Sequence, residues 1–269
     1  MAYPTIDAPY GFKPVNLIGG QVYAGSTRNI PIAYNYGSNI FYGDFVNIAS
    51  GFCAVVANTI ATPTVGVFLG CYYTVPATKQ RVWSQYYPAN TLAGDITAIV
   101  GDDPDTVFRV AVTASAASAA IASASQLNVG INMAGGTFAG SAATGNSGGA
   151  VVALATTAGN FRVMGLVPDT QITTSAAYSS GTGNTSLVVS GLSIGQVLPI
   201  GTDVWQVAAG GQLQFTGSTL TAAATVSSAT AQTLTVTAST VAVTGSLALI
   251  QTPEVLVKIT FGSHRYYVA

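Results

Sequence analysis

The chain has 269 residues, enough for one large or two modest domains with hydrophobic cores. Charged residues make up only 6% of it and the formal net charge is −1, whereas ordinary globular proteins have roughly 25% charged residues. This composition excludes the basic surface that nucleic-acid binding requires. Since a free monomer usually keeps charge for solubility, the composition favours a surface that neighbours cover in an assembly. A surface of small neutral polar groups is the alternative.

The N-terminal residues 1–7 have no basic start followed by an apolar stretch, so we expect no secretory signal. Small polar residues interrupt both long uncharged stretches, 110–161 and 204–253, so no membrane-spanning helix is predicted either. Two cysteines, Cys53 and Cys71, are too few for a disulfide scaffold. Adjacent strands could bring them together, but we expect free, packed thiols and folding in a reducing cytoplasm.

Prolines recur at Pro4, Pro9 and Pro14 within residues 1–20. Proline fixes φ and lacks an N–H donor, so a helix is disfavoured and an extended arm is predicted. The arm either reaches a neighbouring subunit or forms a surface strand of its own domain.

Short runs rich in β-branched and aromatic residues, separated by turn signals, fill the next part of the chain. They predict strands at 29–34, 40–48, 52–56, 65–73, 81–88, 96–100, 106–110 and 161–167. Gly43 and Asp44 within the second run indicate a bulge or a sharp corner. The Ala/Ser-rich residues 113–126 predict a short helix, and a glycine-rich, uncharged segment follows at 130–149.

The composition changes again towards the C-terminus. Residues 178–184 are typical of a linker or exposed loop, and alternating runs then predict strands at 186–189, 204–207, 212–215, 233–237 and 241–244. Residues 253–267 alternate apolar and polar side chains, which predicts a strand that closes a sheet begun far earlier. The predicted fold is all-β, with a β-barrel or sandwich base domain of residues 1–177 plus 252–269. It has an extended N-terminal arm and a small inserted β module of residues 178–251.

The run Gly145-Asn146-Ser147-Gly148-Gly149 is similar to the segment around the nucleophile of trypsin-like proteases. A triad also needs a base and an acid, and the only histidine, His264, follows the serine instead of preceding it. The hydrolase-fold order would fit, but the flanking residues do not indicate the strand, turn and helix that this fold requires. A loop whose glycines adopt positive φ is therefore favoured, with a hydrolase that uses Ser147 as the enzymatic alternative.

Residues 102–105 hold three aspartates that could bind calcium, but the glycine and distal glutamate of a calcium loop are missing. An Asp-Pro turn before a strand is favoured. One histidine, two cysteines and one glutamate do not make a usual zinc site. We therefore expect no metal site, no cofactor and no catalytic residue, and His264 is expected to pack or hydrogen bond beside Arg265 and Tyr266.

Tyrosine pairs at 72–73, 86–87 and 266–267 are expected to place one ring on each side of a strand. Outward tyrosines suit subunit contacts, because interfaces favour Tyr and Trp. Covering the ends of a barrel is the alternative. The candidate residues for contact with a capsid or another subunit are Tyr10, Phe12, Tyr72, Tyr86 and Trp205.

Seven segments occur in an order that resembles a known family: 8–15 (APYGFKPV), 23–28 (YAGSTR), 40–46 (IFYGDFV), 65–70 (VGVFLG), 103–110 (DPDTVFRV), 161–166 (FRVMGL) and 255–259 (VLVKI). Together they resemble structural proteins of tailed bacteriophages, especially phages of marine bacteria. These proteins accompany the head genes and are often head-decoration or cement proteins. The chain departs from the family at its C-terminal end, where Val-Arg-Ile-Asn-Asn-His is common and VKITFGSH stands here at 257–264, and in the insertion at 178–251.

The resemblance implies a non-catalytic virion structural protein that binds and stabilises the assembled capsid. It would lie on the capsid exterior and be made in the host bacterial cytoplasm. The implied partners are the major capsid protein and further copies of this chain in a homotrimer, with no direct contact to nucleic acid or membrane. One alternative is the major capsid shell protein itself, which the β-rich pattern disfavours. Another is a receptor- or glycan-binding adhesin of a head or tail fibre, for which an exposed aromatic such as Trp205 in the inserted module is expected.

Overall fold

The computed structural model describes residues 9–18, 20–56, 64–113, 120–121, 127–128, 130–133, 140–156, 159–167, 171–173, 182–207, 213–242, 245–250, 254–260 and 263–266. About half of the chain is strand and almost none is helix, so the predicted all-β class is confirmed. No helix in these ranges is long and apolar enough to cross a membrane.

The strands number 21 in the described residues. The N-terminal half contains β1 (Lys13–Leu17), β2 (Arg28–Pro31), β3 (Phe45–Ala49), β4 (Phe52–Val55), β5 (Gly66–Thr74), β6 (Arg81–Ser84), β7 (Thr97–Gly101), β8 (Thr106–Thr113), β9 (Ala120–Ile121) and β10 (Gly130–Met133). The remainder contains β11 (Val151–Thr156), β12 (Phe161–Val167), β13 (Gln171–Thr173), β14 (Ser186–Val189), β15 (Val197–Leu198), β16 (Asp203–Val207), β17 (Leu213–Thr219), β18 (Ala224–Thr225), β19 (Gln232–Thr235), β20 (Leu247–Ile250) and β21 (Glu254–Ile259).

The first sheet is organised around β8, which pairs with β1, β11 and β21. From β11 the pairing continues through β10 and β12 to β21, and β21 returns to β8. The result is a closed ring of paired strands, as in a small β-barrel. The C-terminal strand therefore closes a sheet begun far earlier, as its alternation predicts.

Four phenylalanines from distant segments form the centre of the first core. The ring of Phe12 lies 4.4 Å from that of Phe45 and 5.1 Å from that of Phe161, measured between ring centroids. Phe108 meets Phe12 edge-on at 6.5 Å. Such close, tilted aromatic contacts add to the free energy gained by burying apolar area.

The second sheet has the order β2-β7-β5-β3-β4, and β6 pairs with β5. A bridge between Ile32, just after β2, and Cys53 of β4 joins its two ends. Its core is separate from the first and includes Val46, Phe68 and Tyr87. Gly43, with φ of 90°, forms a turn immediately before β3, so the corner predicted at Gly43-Asp44 is present.

The third sheet has the order β13-β20-β16-β17-β9, with the ribbons β14-β19 and β15-β18 beside it. Buried residues from the sequence range 187–249 form a third hydrophobic core at this sheet and its ribbons. Two of its strands, β9 and β13, come from outside residues 178–251, and Trp205 and Phe215 pack with the first core. The domain boundaries drawn from the sequence accordingly stay a prediction.

Two predictions about local structure differ from what is observed, and part of the N-terminal arm follows one of its two predicted alternatives, a strand of its own domain. The helix predicted at 113–126 is wrong where the structure describes it, because Thr113 ends β8 and Ala120–Ile121 pairs with β17. The strand predicted at 241–244 is absent at 241–242, and residues 243–244 lie outside the described residues. Within the predicted arm, residues 13–17 form β1 on β8 of the same chain; residues 1–8 lie outside the described part.

Candidate interaction surface

The serine of the Gly-x-Ser-Gly-Gly run lies at a crossing of three chain segments. The Ser147 N–H donates to the Tyr42 carbonyl at 2.9 Å, and the Gly11 N–H donates to the Gly149 carbonyl at 3.2 Å. The Phe12 N–H donates to the carbonyl of Gly43. A Cβ on Gly11 would lie 2.7 Å from Cβ of Ser147, so the backbones approach too closely for a side chain there. We call Gly11, Gly43, Ser147 and Gly149 the glycine junction.

Ser147 is buried in this junction, and its hydroxyl oxygen accepts from the Gly149 N–H at 2.9 Å. The neighbouring carboxyl is that of Asp44. Burial raises the pKa of this carboxyl to about 6, and hydrogen bonds from Ser147 and from the Phe41 N–H partly oppose the rise. His264 lies elsewhere, bridged to Thr64, with its ring 4.8 Å from that of Tyr266. Ser147 therefore has a packing role at a chain crossing.

The acidic run 102–105 forms the turn predicted for it. The Asp103 carboxylate accepts from the Asp105 N–H at 2.8 Å, which closes the turn before β8. Asp102 pairs with Arg28 at 2.9 Å, and Asp105 pairs with Lys258 at 2.6 Å. Among the described residues, no three side chains of His, Cys, Asp or Glu are grouped so that they could hold a metal ion.

The two cysteines are free thiols in the core of the second sheet. Burial raises the pKa of Cys53 and of Cys71 to about 12, so both remain protonated at neutral pH. Free, packed thiols are the state that the sequence predicts.

Three of the five residues predicted to contact a partner are core residues instead. Tyr10, Phe12 and Trp205 are buried within the chain, so they offer no surface to a capsid, another subunit or a ligand. Tyr72 is exposed, and Tyr86 is half-buried and stacks on Phe41 with ring centroids 5.4 Å apart. For Tyr72 and Tyr86 a role in contact stays a prediction.

The outer face of the second sheet carries a row of side chains that includes two exposed aromatics. The row runs Pro31, Thr97, Tyr72 and Trp83, each paired in register with the next across β2, β7, β5 and β6. Directly paired residues share a face of a sheet. Trp83 is 52% exposed, and a Cβ on Gly70 would lie 2.9 Å from its Nε1. The indole nitrogen thus lies close to a glycine, and about half of the Trp83 residue surface is exposed.

A cleft of about 510 Å³ adjoins this row. Tyr34 and Phe52, both exposed, lie on its wall together with Arg81 and Asp95. The Arg81 guanidinium lies 5.4 Å from the centre of the Tyr72 ring. The Asp95 carboxylate accepts from the N–H and hydroxyl of Thr74, at 3.0 and 2.6 Å, and these bonds lower the pKa of Asp95. We call the row and this cleft together the aromatic cleft.

A second exposed region follows β1. The Leu17 N–H donates a hydrogen bond to the Gln21 carbonyl at 2.8 Å, and Val22 bridges to Asn16. Residues 20–29 are exposed apart from a half-buried Tyr23 and carry no charge before Arg28. Residues 20–27 belong to none of the named strands, and Gly20 and Gly25 have φ of 80° and 77°. Val22 is 82% exposed. We call residues 20–27 the exposed N-terminal segment.

Sequence reasoning missed Tyr34, Phe52 and Trp83 as surface aromatics. The signal for Trp83 was available, because Arg81 and Trp83 alternate with Val82 and Ser84 and must share the outer face of any strand there. Tyr34 lies in a turn after β2 and Phe52 begins β4, and the bridge between Ile32 and Cys53 brings these two parts of the chain together.

Comparison of the chain with models of protein families, with curated proteins and with solved structures found no match.

Proposed function

We propose that this chain is a bacteriophage virion protein that binds the outside of the assembled capsid and stabilises it without catalysis. The exposed N-terminal segment carries this proposal. It is uncharged, belongs to none of the named strands and carries a strongly exposed valine, in a chain that has very few charges. Exposed backbone that is outside the sheets of its own chain can pair with another chain.

The segments that resemble phage head proteins also meet in space. Phe12, Phe45, Phe108 and Phe161 come from four of these segments, and their rings pack together in the first core. A fifth segment, 255–259, adds Val255, Val257 and Ile259 to the same core. The segments that resemble the phage proteins therefore contribute to one hydrophobic core. This supports a resemblance that extends over the whole base domain and is not limited to scattered motifs.

The proposed action is mechanical. A shell under the pressure of packaged DNA fails where its subunits meet. A protein that binds the assembled lattice, and not free shell subunits, shifts the equilibrium towards the assembled state by linkage. The resemblance suggests a homotrimer on the capsid exterior, with the major capsid protein as the principal partner and assembly in the host cytoplasm.

The first experiment is the copy number of this chain per purified virion, relative to the main shell protein, by quantitative mass spectrometry. We expect a ratio near parity. A handful of copies per particle would contradict a lattice-wide cement and favour a fibre protein. A ratio near parity with no other abundant chain would instead favour the alternative of the shell protein itself.

A binding experiment tests the surface. Purified chain is added to particles that lack it and, separately, to free shell subunits, and bound protein is recovered by sedimentation. We expect binding to particles only, lost in Val22→Asp and kept in Ile194→Asp, whose side chain is also strongly exposed but lies near the third sheet. Equal binding by both variants would show that the exposed N-terminal segment does not bind the particles.

A further inference from the structure

We infer that the aromatic cleft binds a neutral glycan. The inference does not rest on the proposed function, because it concerns a different surface and a ligand that a free chain can bind. The sequence suggests Trp205 as an aromatic residue for sugar binding, but Trp205 is buried. The site inferred here lies on the outer face of the second sheet.

The apolar contribution comes from two exposed aromatic side chains, Trp83 and Tyr72. Sugar rings present a layer of C–H groups that packs on the face of an aromatic ring, where the π electrons give a negative potential. Trp83 is 52% exposed and its indole nitrogen lies close to Gly70, so the ring packs against the sheet and still leaves a large area available. Tyr72 is paired directly with Trp83 and extends the same surface.

The polar contribution comes from one cation and one anion. Arg81 can donate several hydrogen bonds, and the Asp95 carboxylate can accept beyond the two that Thr74 donates. The hydrogen bonds from Thr74 also fix the orientation of the Asp95 carboxylate. Hydroxyl groups are both donors and acceptors, so a sugar can satisfy both residues at once. The two charges cancel, which matches a neutral ligand better than an anionic one.

The size of the cleft also indicates a small ligand. The part lined by Tyr34, Phe52, Arg81 and Asp95 has a volume of about 510 Å³, which lies within the range of sites for small molecules, roughly 300–1,000 Å³. A stable protein interface needs about 800 Å² from each partner. Concave apolar walls with a few convergent polar groups are the usual composition of a small-ligand site.

The chain supplies its own probe, because it has only two tryptophans and one of them, Trp205, is buried. Quenching of fluorescence by acrylamide therefore reports mainly on Trp83. The full chain is titrated with maltoheptaose, cellopentaose and chitopentaose, and the labelled chain is applied to an array of neutral and acidic glycans. We expect saturable protection of Trp83 by at least one neutral sugar.

Variants distinguish the cleft from other surfaces. Array binding and calorimetry are repeated with Trp83→Ala, Arg81→Ala and, as a matched exposed control, Ile194→Ala. We expect the dissociation constant to rise about tenfold or more in the first two, since aromatic and arginine side chains dominate binding sites, and to stay unchanged in the control. Circular dichroism verifies that each variant is folded.

Three results would overturn the inference: no glycan bound, equal binding by Trp83→Ala, or protection of Trp83 by raising protein concentration without sugar. The last would assign this face to contact between copies of the chain. None of these results bears on binding to particles, which Val22→Asp tests separately.

Discussion

The hydroxyl of Tyr10 donates a hydrogen bond to the Glu254 carboxylate, although 244 residues separate the two in sequence. The same carboxylate accepts from Nε of Arg109 at 3.0 Å, and the ammonium of Lys13 lies 4.1 Å from the centre of the Tyr10 ring. A buried carboxylate is tolerated when it is paired and hydrogen bonded. The only glutamate in the chain thus joins the N-terminal segment to strands β8 and β21.

We predict that Tyr10→Phe lowers the free energy of unfolding by about 1.5–3 kcal/mol, the usual contribution of a hydrogen bond to a charged group. Glu254→Ala should cost more, up to about 3–5 kcal/mol, because it leaves the Arg109 charge without its partner. Arg109 is partly exposed, so water recovers part of that loss. Urea denaturation measures both, with Tyr34→Phe as the control for an exposed tyrosine. A Tyr10→Phe cost no greater than that of Tyr34→Phe would contradict the prediction.

The glycine junction gives a second prediction. Gly43 has φ of 90°, and a Cβ there would lie 2.8 Å from the Phe12 backbone nitrogen. Gly51, with φ of 86°, has nothing within 4 Å of the same position. Gly51→Ala therefore measures the cost of positive φ alone, about 1 kcal/mol.

Gly43→Ala adds a backbone clash to that cost, so we expect it to destabilise the fold by several kcal/mol or to prevent folding. Thermal and urea unfolding of the two variants give the difference directly. Soluble Gly43→Ala protein with the same stability as Gly51→Ala would show that the three segments do not cross as closely as described.

Local patterns predicted most strands but not their environment. Val255, Val257 and Ile259 alternate with polar residues, so β21 could be recognised. β20, Leu247–Ile250, is buried on both faces and reads as a continuous apolar run, so a period of two could not reveal it. At Ala120–Ile121, pairing with β17 overrides the helix propensity of alanine.

The candidate surface was harder to predict than the strands. The prolines around Phe12 indicate an extended segment, and this part is extended, but its burial depends on Phe45 and Phe161 from distant strands. Trp205 looked suited to ligand contact for its residue type alone, whereas the packing of the third sheet against the first core buries it. Which face of a strand is covered depends on packing against segments distant in sequence, and the local pattern of residues does not reveal it.

The buried carboxyl of Asp44 gives a prediction on pH. Burial raises its pKa from 3.8 to about 6 in the folded protein. Because the folded pKa exceeds the unfolded one, the stabilising contribution of this group is full below about pH 4 and is lost as pH rises through 6. A shift of about two pKa units corresponds to roughly 3 kcal/mol.

Asp44→Asn removes this titration. The difference in free energy of unfolding between Asp44→Asn and the natural chain should therefore shift in favour of the variant by up to about 3 kcal/mol from pH 4 to pH 8. Taking the difference cancels other titrating groups, including His264, whose pKa burial lowers. Asp95→Asn is the control: hydrogen bonds lower the pKa of Asp95 from 3.8, so its contribution is lost only as pH falls below about 4, and its difference should stay nearly constant from pH 4 to pH 8. An Asp44→Asn difference that is independent of pH would show that this carboxyl is not desolvated.

The two tryptophans should differ strongly in how much their substitution changes the free energy of unfolding. Trp205 is fully buried against Phe215, with ring centroids 5.1 Å apart, so Trp205→Ala should cost about 3–5 kcal/mol through the cavity it leaves. Within the described residues its indole N–H has no hydrogen-bond partner. Trp205→Phe should therefore cost clearly less than Trp205→Ala, because it removes an unpaired donor while keeping most of the packing.

Trp83→Ala, by contrast, should change stability by no more than about 0.5 kcal/mol, since the side chain is half exposed and lies on the outer face. Urea denaturation of the three variants, followed by far-ultraviolet circular dichroism, ranks them without using tryptophan emission. Equal destabilisation by Trp83→Ala and Trp205→Ala would mean that Trp83 also belongs to a core. The outer face of the second sheet would then not be a surface open to ligand.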